Sequence, residues 1–144
     1  MTTDSGLHQG ALGAFLAVAP DMSTCSAEAV SERLDVRFEL VKQGRGAKVF
    51  RAEGSGVIAD YELKVPKTGS GLATILIANV ISGTVRYQAL SDKLGGSIDG
   101  SFDVQPAGGP VAYYETFRPG RNEIHVGAGL DKPLSAVDVI VECR

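Results

Sequence analysis

The chain has little of what most enzyme chemistry draws on: two cysteines, two histidines and no tryptophan in 144 residues. A catalytic histidine needs a nucleophile or an orienting acid beside it, and no Gly-x-Ser-x-Gly elbow occurs in the chain. His8 lies in a polar start. His125 falls on the outward side of an alternating segment, on the same face as Glu123, and reads as an exposed surface residue. Gly44-Arg45-Gly46 lacks the third glycine of a dinucleotide loop and precedes a strand, so it reads as a turn. A nucleophile, base and metal group cannot be assembled from these pieces, and the chain is read as not an enzyme.

Excess charge of either sign is also missing. The net charge is −3, with acids and bases mixed along the chain. Without a basic stripe to neutralise phosphates, nucleic acid is not an expected partner. No run reaches the roughly 18 apolar residues of a membrane span. The best candidate, residues 11–19, is half that length and is preceded by Met1-Thr2-Thr3-Asp4, which carries no positive charge and one negative. It therefore does not read as a signal peptide, and the product is expected to be made in the cytoplasm without export by that route. In a reducing compartment Cys25 and Cys143 are expected to be free thiols. The alternative is one bridge, provided that the first and last strands are neighbours.

What the chain does have is glycine at turns and apolar residues at a period of two. Its 18 glycines separate apolar runs. From Asp35 onward Phe38 and Leu40 alternate with Arg37 and Glu39; further on, Tyr61, Leu63 and Val65 point inward while Glu62 and Lys64 point outward. Residues 72–81 are almost unbroken apolar sequence and read as the most buried strand, covered on both faces. Strands are also expected over 47–52, 84–90, 97–105, 111–117, 122–126 and 137–142, with a turn at 91–96. In Arg118-Pro119-Gly120-Arg121, proline suits turn position i+1 and glycine the positive φ of a type II turn at i+2. The fold class is all-β: an antiparallel β-sandwich or jelly roll of about eight to nine strands. Residues 1–34 lack this alternation and read as an N-terminal arm on a sandwich domain of residues 35–144. Within the arm, Ser26 can cap a short helix through Leu34, with Glu28 in its first turn, and an irregular arm or a first strand fits these residues as well.

One stretch carries a family likeness. The order runs from Ala59-Asp60-Tyr61-Glu62-Leu63-Lys64-Val65-Pro66 through the apolar run 72–80 to the aromatic strand 113–117. It continues with Arg118-Pro119-Gly120-Arg121-Asn122-Glu123-Ile124 and Val137-Asp138-Val139-Ile140. Over residues 57–142 this resembles the jelly-roll carbohydrate-binding modules of the galactose-binding-like group. The resemblance implies a β-sandwich fold, a glycan ligand, and a structural calcium held partly by an acid on the first strand and one on the last. Asp138 matches the second of these positions and Glu28 is the nearest match to the first. The chain departs from the group in having no tryptophan on which a sugar ring could stack. Tyr113 and Tyr114, adjacent in a strand, face opposite ways, so one of them can serve as a platform for a sugar or a protein.

Two functions follow as expectations. The first is a non-enzymatic structural protein of a phage virion, decorating or cementing the capsid or associated with the tail. The apolar residues Leu12, Phe15, Leu16 and Val18 of the arm would then dock on neighbouring subunits of an oligomeric assembly. The second is a carbohydrate-binding module, free or displayed on a virion. Neither requires a cofactor, structural calcium aside.

Overall fold

The computed structural model describes residues 10–98, 111–129 and 135–143. The chain is mainly β, as the alternation implies. Among the described residues eight strands make one sheet: β1 (Glu39–Gln43), β2 (Ala47–Glu53), β3 (Ile58–Pro66), β4 (Thr74–Val80), β5 (Ser97–Ile98), β6 (Val111–Phe117), β7 (Glu123–Gly129) and β8 (Ala136–Cys143). Their order is β1-β2-β3-β4-β8-β7-β6-β5, and every neighbouring pair is antiparallel. The sheet is thus two four-stranded meanders joined along β4 and β8. Seven strands have five or more residues, and β5 has two.

The register sorts side chains onto two faces, because directly paired residues point the same way. Tyr61 pairs with Ala78, Ala78 with Val139 and Val139 with Val126; one step along, Leu63, Leu76, Val141 and Ile124 form a second row. All eight are buried. At roughly 1.5–3 kcal/mol for each large aliphatic side chain removed from water, these two rows are the centre of the core.

Among the described residues, three helices cover this apolar face. In α1 (Gly10–Val18), Leu12, Phe15 and Leu16 recur at helical spacing and are buried, and Phe15 packs against Tyr61 with ring centroids 6.2 Å apart. A 3-10 turn (Ala19–Asp21) follows, then α2 (Ala27–Leu34). As its sequence implies, α2 is capped by Ser26, whose hydroxyl accepts from the Ala29 amide at 3.2 Å. Glu28 lies in its first turn, Val30 and Leu34 are buried one turn apart, and Asp35 ends the helix in a left-handed conformation at φ 53°. The third helix, α3 (Tyr87–Leu94), buries Tyr87, Leu90 and Leu94 and ends at Gly95, φ 89°.

Several expectations need correction. Residues 10–34 do not form a free arm: Leu12, Phe15 and Leu16 are 1%, 0% and 5% exposed and belong to the same core as the sheet, with Val18 packed at its margin. The hairpin between β6 and β7 ties this segment down. Asn122 donates from Nδ2 to the carbonyls of Ala19 (2.9 Å) and Met22 (2.8 Å), and its amide donates to Pro20. Gly120 is needed there for space and not for a positive φ, since a Cβ would come within 2.7 Å of the Pro20 carbonyl oxygen. Cys25 and Cys143 are bridged, with Cα atoms 6.3 Å apart. The bridge links the start of α2 to the end of β8, so no pairing of first and last strands is required. Residues 84–90 are not a strand and 91–96 not a turn: a helical stripe overrides the local alternation. The 72–81 run is central, but its burial alternates. Leu76, Ala78 and Val80 are inside, Ile75 and Ile77 are half-buried, and Leu72 and Ile81 are exposed at the ends. The most continuously buried strand is β7, where only Glu123 is partly open. The expected strand 97–105 is described only at its start, as β5.

Candidate functional site on the polar sheet face

The second face of the sheet carries most of the polar chemistry. One row crosses five strands: Asp60 pairs with Asn79, Asn79 with Asp138, Asp138 with Gly127 and Gly127 with Tyr114. Asn79 donates from Nδ2 to Asp60 Oδ1 at 2.6 Å, and Arg51 reaches Asp60 Oδ2 at 3.2 Å. At the other end the Tyr114 hydroxyl donates to Asp138 Oδ2 at 3.0 Å. The tyrosine spans β7 to do so, and Gly127 makes room. A Cβ there would lie 2.4 Å from Asp138 Oδ1 and 2.9 Å from Tyr114 Cε1. Burial pushes the Asp138 carboxyl above its usual range, opposed by the Tyr114 hydroxyl and more weakly by the Gly127 amide. That amide falls short of hydrogen-bond geometry, and Oδ1 is buried without a partner among the described residues. Tyr114 is itself raised, by burial first and by the Asp138 charge second.

Asp60 also borders an open groove of about 860 Å³ at the β1–β3 end of the sheet, lined in part by Arg37, Glu39, Arg51 and Glu53. The groove and the polar row are therefore continuous through the Arg51–Asp60 pair.

A second group lies one and two rows away. Thr116 pairs with His125 across β6 and β7, and Glu123 stands directly opposite Glu142 across β7 and β8. His125 Nδ1 is 2.7 Å from the Thr116 hydroxyl, and Nε2 is 2.9 Å from Glu142 Oε2 and 4.0 Å from Glu123 Oε1. Arg118 donates to the other Glu123 oxygen, Oε2. The expected exposure of His125 is corrected. It does share Glu123's face, but its side chain is only 2% exposed because Thr116 and Glu142 close over it from both flanking strands. Hydroxyl, imidazole and carboxylate are connected in the order of a nucleophile–base–acid triad. Thr116 and His125 are 5% and 2% exposed, so the connection fixes the ring and does not present a nucleophile to solvent.

The other sequence-derived site residues are dispersed. Glu28 is exposed on α2, beside Phe38 and Phe50 at the helix-covered face, whereas Asp138 points to the opposite face. The two do not share a calcium site. Tyr114 is half-buried in the polar row; the Tyr113 backbone pairs with Ala128, and its side chain lies outside the described residues, as does His8. Leu12, Phe15, Leu16 and Val18 face the chain's own core. Sequence reasoning missed Asp60, Asn79, Thr116 and Glu142. The alternation assigns each to a face but does not say which strand lies alongside.

No helix among the described residues is long and apolar enough to cross a membrane. The chain matches no family model, no curated protein and no solved structure.

Proposed function

We propose that the chain is a non-enzymatic recognition module that binds carbohydrate on the polar face of its sheet. The observation that carries this reading is the row Tyr114–Asp138–Asn79–Asp60 with Arg51 at its end. A sugar presents hydroxyls, each both donor and acceptor, around an apolar ring face. Carboxylates, an amide and a guanidinium on neighbouring strands answer the hydroxyls, and a tyrosine ring answers the face. The groove beside Asp60 extends the row toward β1. The Cys25–Cys143 bridge suits a protein that meets its ligand in oxidising surroundings. Glycan-array screening followed by titration of the best ligand tests the proposal. Tyr114→Ala and Asp60→Asn should each weaken binding at least tenfold while the fold is retained. Binding unaffected by both substitutions would remove the polar row from the site and the proposal with it.

A second reading, structural protein of a phage virion, rests on a different observation. The outer strand β1 leaves Leu40 and Val41 about half exposed, and Leu72 is 71% exposed beyond β4. Apolar surface of this kind is what neighbouring subunits cover in an assembly. With residues 10–34 in the chain's own core, these side chains replace Leu12, Phe15 and Leu16 as the docking residues. Native mass measurement decides: a closed oligomer lost on Leu40→Lys with Val41→Lys supports assembly, and a monomer at high concentration argues against it.

A further inference from the structure

We propose that Glu123, His125 and Glu142 form a binding site for a divalent transition-metal ion of the zinc type. The proposal is independent of the carbohydrate reading. The three side chains project from two adjacent strands onto one face, with one ligand atom from each inside a cluster 4.8 Å across. A tetrahedral ion bonded at about 2.0–2.1 Å holds its ligand atoms about 3.3–3.4 Å apart. The distances from His125 Nε2, 2.9 Å to Glu142 and 4.0 Å to Glu123, lie either side of that spacing. Side-chain rotation alone would equalise them.

Two of the three ligands, His125 and Glu123, are already oriented from behind. Metal-binding imidazoles hand their remaining N–H to an acceptor, which fixes the ring and its tautomer. In the tautomer in which His125 Nδ1 donates to Thr116 Oγ1, 2.7 Å away, Nε2 carries the electron pair that a metal ion would share and faces the carboxylates. Arg118 occupies Oε2 of Glu123 and leaves Oε1 turned to the histidine.

Electrostatics adds a separate argument. Glu123 and Glu142 are direct cross-strand partners, and their side chains are only 27% and 17% exposed. Like charges directly opposite in a ladder destabilise it. A divalent cation between them neutralises both. One imidazole nitrogen with two carboxylates suits zinc or cobalt, since calcium and magnesium take oxygen ligands throughout. The protein supplies three ligands, which leaves a fourth position for water or for a donor from a bound molecule.

The test uses the 144-residue chain, stripped with a chelator and titrated with Co²⁺ as a visible probe and Zn²⁺ as competitor. One Co²⁺ per chain is expected, with the intense visible absorption of a tetrahedral ion, displaced by one equivalent of Zn²⁺. Glu123→Gln and Glu142→Gln should each weaken binding at least tenfold, and Zn²⁺ should raise the melting temperature of the wild type more than that of either variant. His125→Gln should abolish the cobalt band. If its burial prevents folding, the two partly open glutamates carry the test. Failure to take up a stoichiometric ion, or uptake unchanged in both glutamine variants, would overturn the proposal and leave the three residues as a salt-bridged cluster.

Discussion

Cys25 and Cys143 are joined although 118 residues separate them in sequence. The bridge pins the lead-in to α2 against the last residues of β8 and closes almost the whole chain into a loop. In the chain-entropy account, closing a loop of about 100 residues stabilises the folded state by up to about 4.7 kcal/mol, and measured values are typically 2–4. Cys143→Ser, or reduction of the wild type, should therefore lower stability by about 2–4 kcal/mol in a denaturant titration. Equal stability of the oxidised and reduced forms would show that the bridge does not constrain the unfolded chain. Thiol labelling of the denatured, unreduced protein should find no free sulfhydryl.

The packing of Phe15 on Tyr61 sets a second expectation. Phe15→Ala should cost about 3–5 kcal/mol, the range for removing a fully buried aromatic ring. Deleting residues 2–20 should unfold the domain and not release a stable sheet, because the deletion uncovers the apolar face at Tyr61. A folded, monomeric deletion variant, seen as retained near-ultraviolet dichroism, would return these residues to the role of a detachable arm.

Asp138 gives a pH dependence with a definite sign. Burial raises its folded-state pKa above that of the unfolded chain. The folded protein therefore holds the proton more tightly, and the resulting stabilisation is present in acid below about pH 4 and lost as pH rises through the raised value. Asp138→Asn removes this titration while keeping an acceptor for the Tyr114 hydroxyl. The melting temperature of the variant relative to wild type should climb between acid and neutral pH and then level off. A constant difference across that interval would show that Asp138 is not destabilised by burial.

Gly127 separates Asp138 from Tyr114 and leaves no room for a methyl group. Gly127→Ala should cost about 1–3 kcal/mol, as overpacking does. It should also uncouple the pair: Tyr114→Phe should be nearly silent in the Gly127→Ala background but measurable in the wild type. An unchanged Tyr114→Phe effect in both backgrounds would mean that the hydroxyl bond survives the added methyl.

The strands were legible wherever one face is buried and the other wet. Tyr61, Leu63 and Val65 against Glu62 and Lys64 is such a case, and β3 forms there with Tyr61 and Leu63 inside. Reading failed where a short window fits two periods. Val85 and Tyr87 alternate as in a strand, but Tyr87, Leu90 and Leu94 form a helical stripe that shows only when the window runs past Ser91. Helix α1 was obscured because Ala and Gly surround its apolar residues and weaken the contrast between its faces. The site was the least legible part. His125 and Glu123 are two residues apart and could be placed on one face, but Glu142 reaches them only because β8 lies beside β7. Which distant strand becomes a neighbour is settled by competition among whole-sheet pairings, and no local pattern encodes it.

The strand order has a consequence for how the molecule is made. β8 leaves the ribosome after the other seven strands, yet it occupies the middle of the sheet between β4 and β7. Until it emerges, the inner edges of both meanders remain open, and Leu76 and Ile124 lack the Val141 that separates them. The nascent chain can form two hairpin stacks but cannot join them, and long-range pairing of this kind is slow and exposes strand edges meanwhile. A chain stalled or truncated ahead of β8 should therefore be a substrate for chaperones and proteases out of proportion to what it lacks.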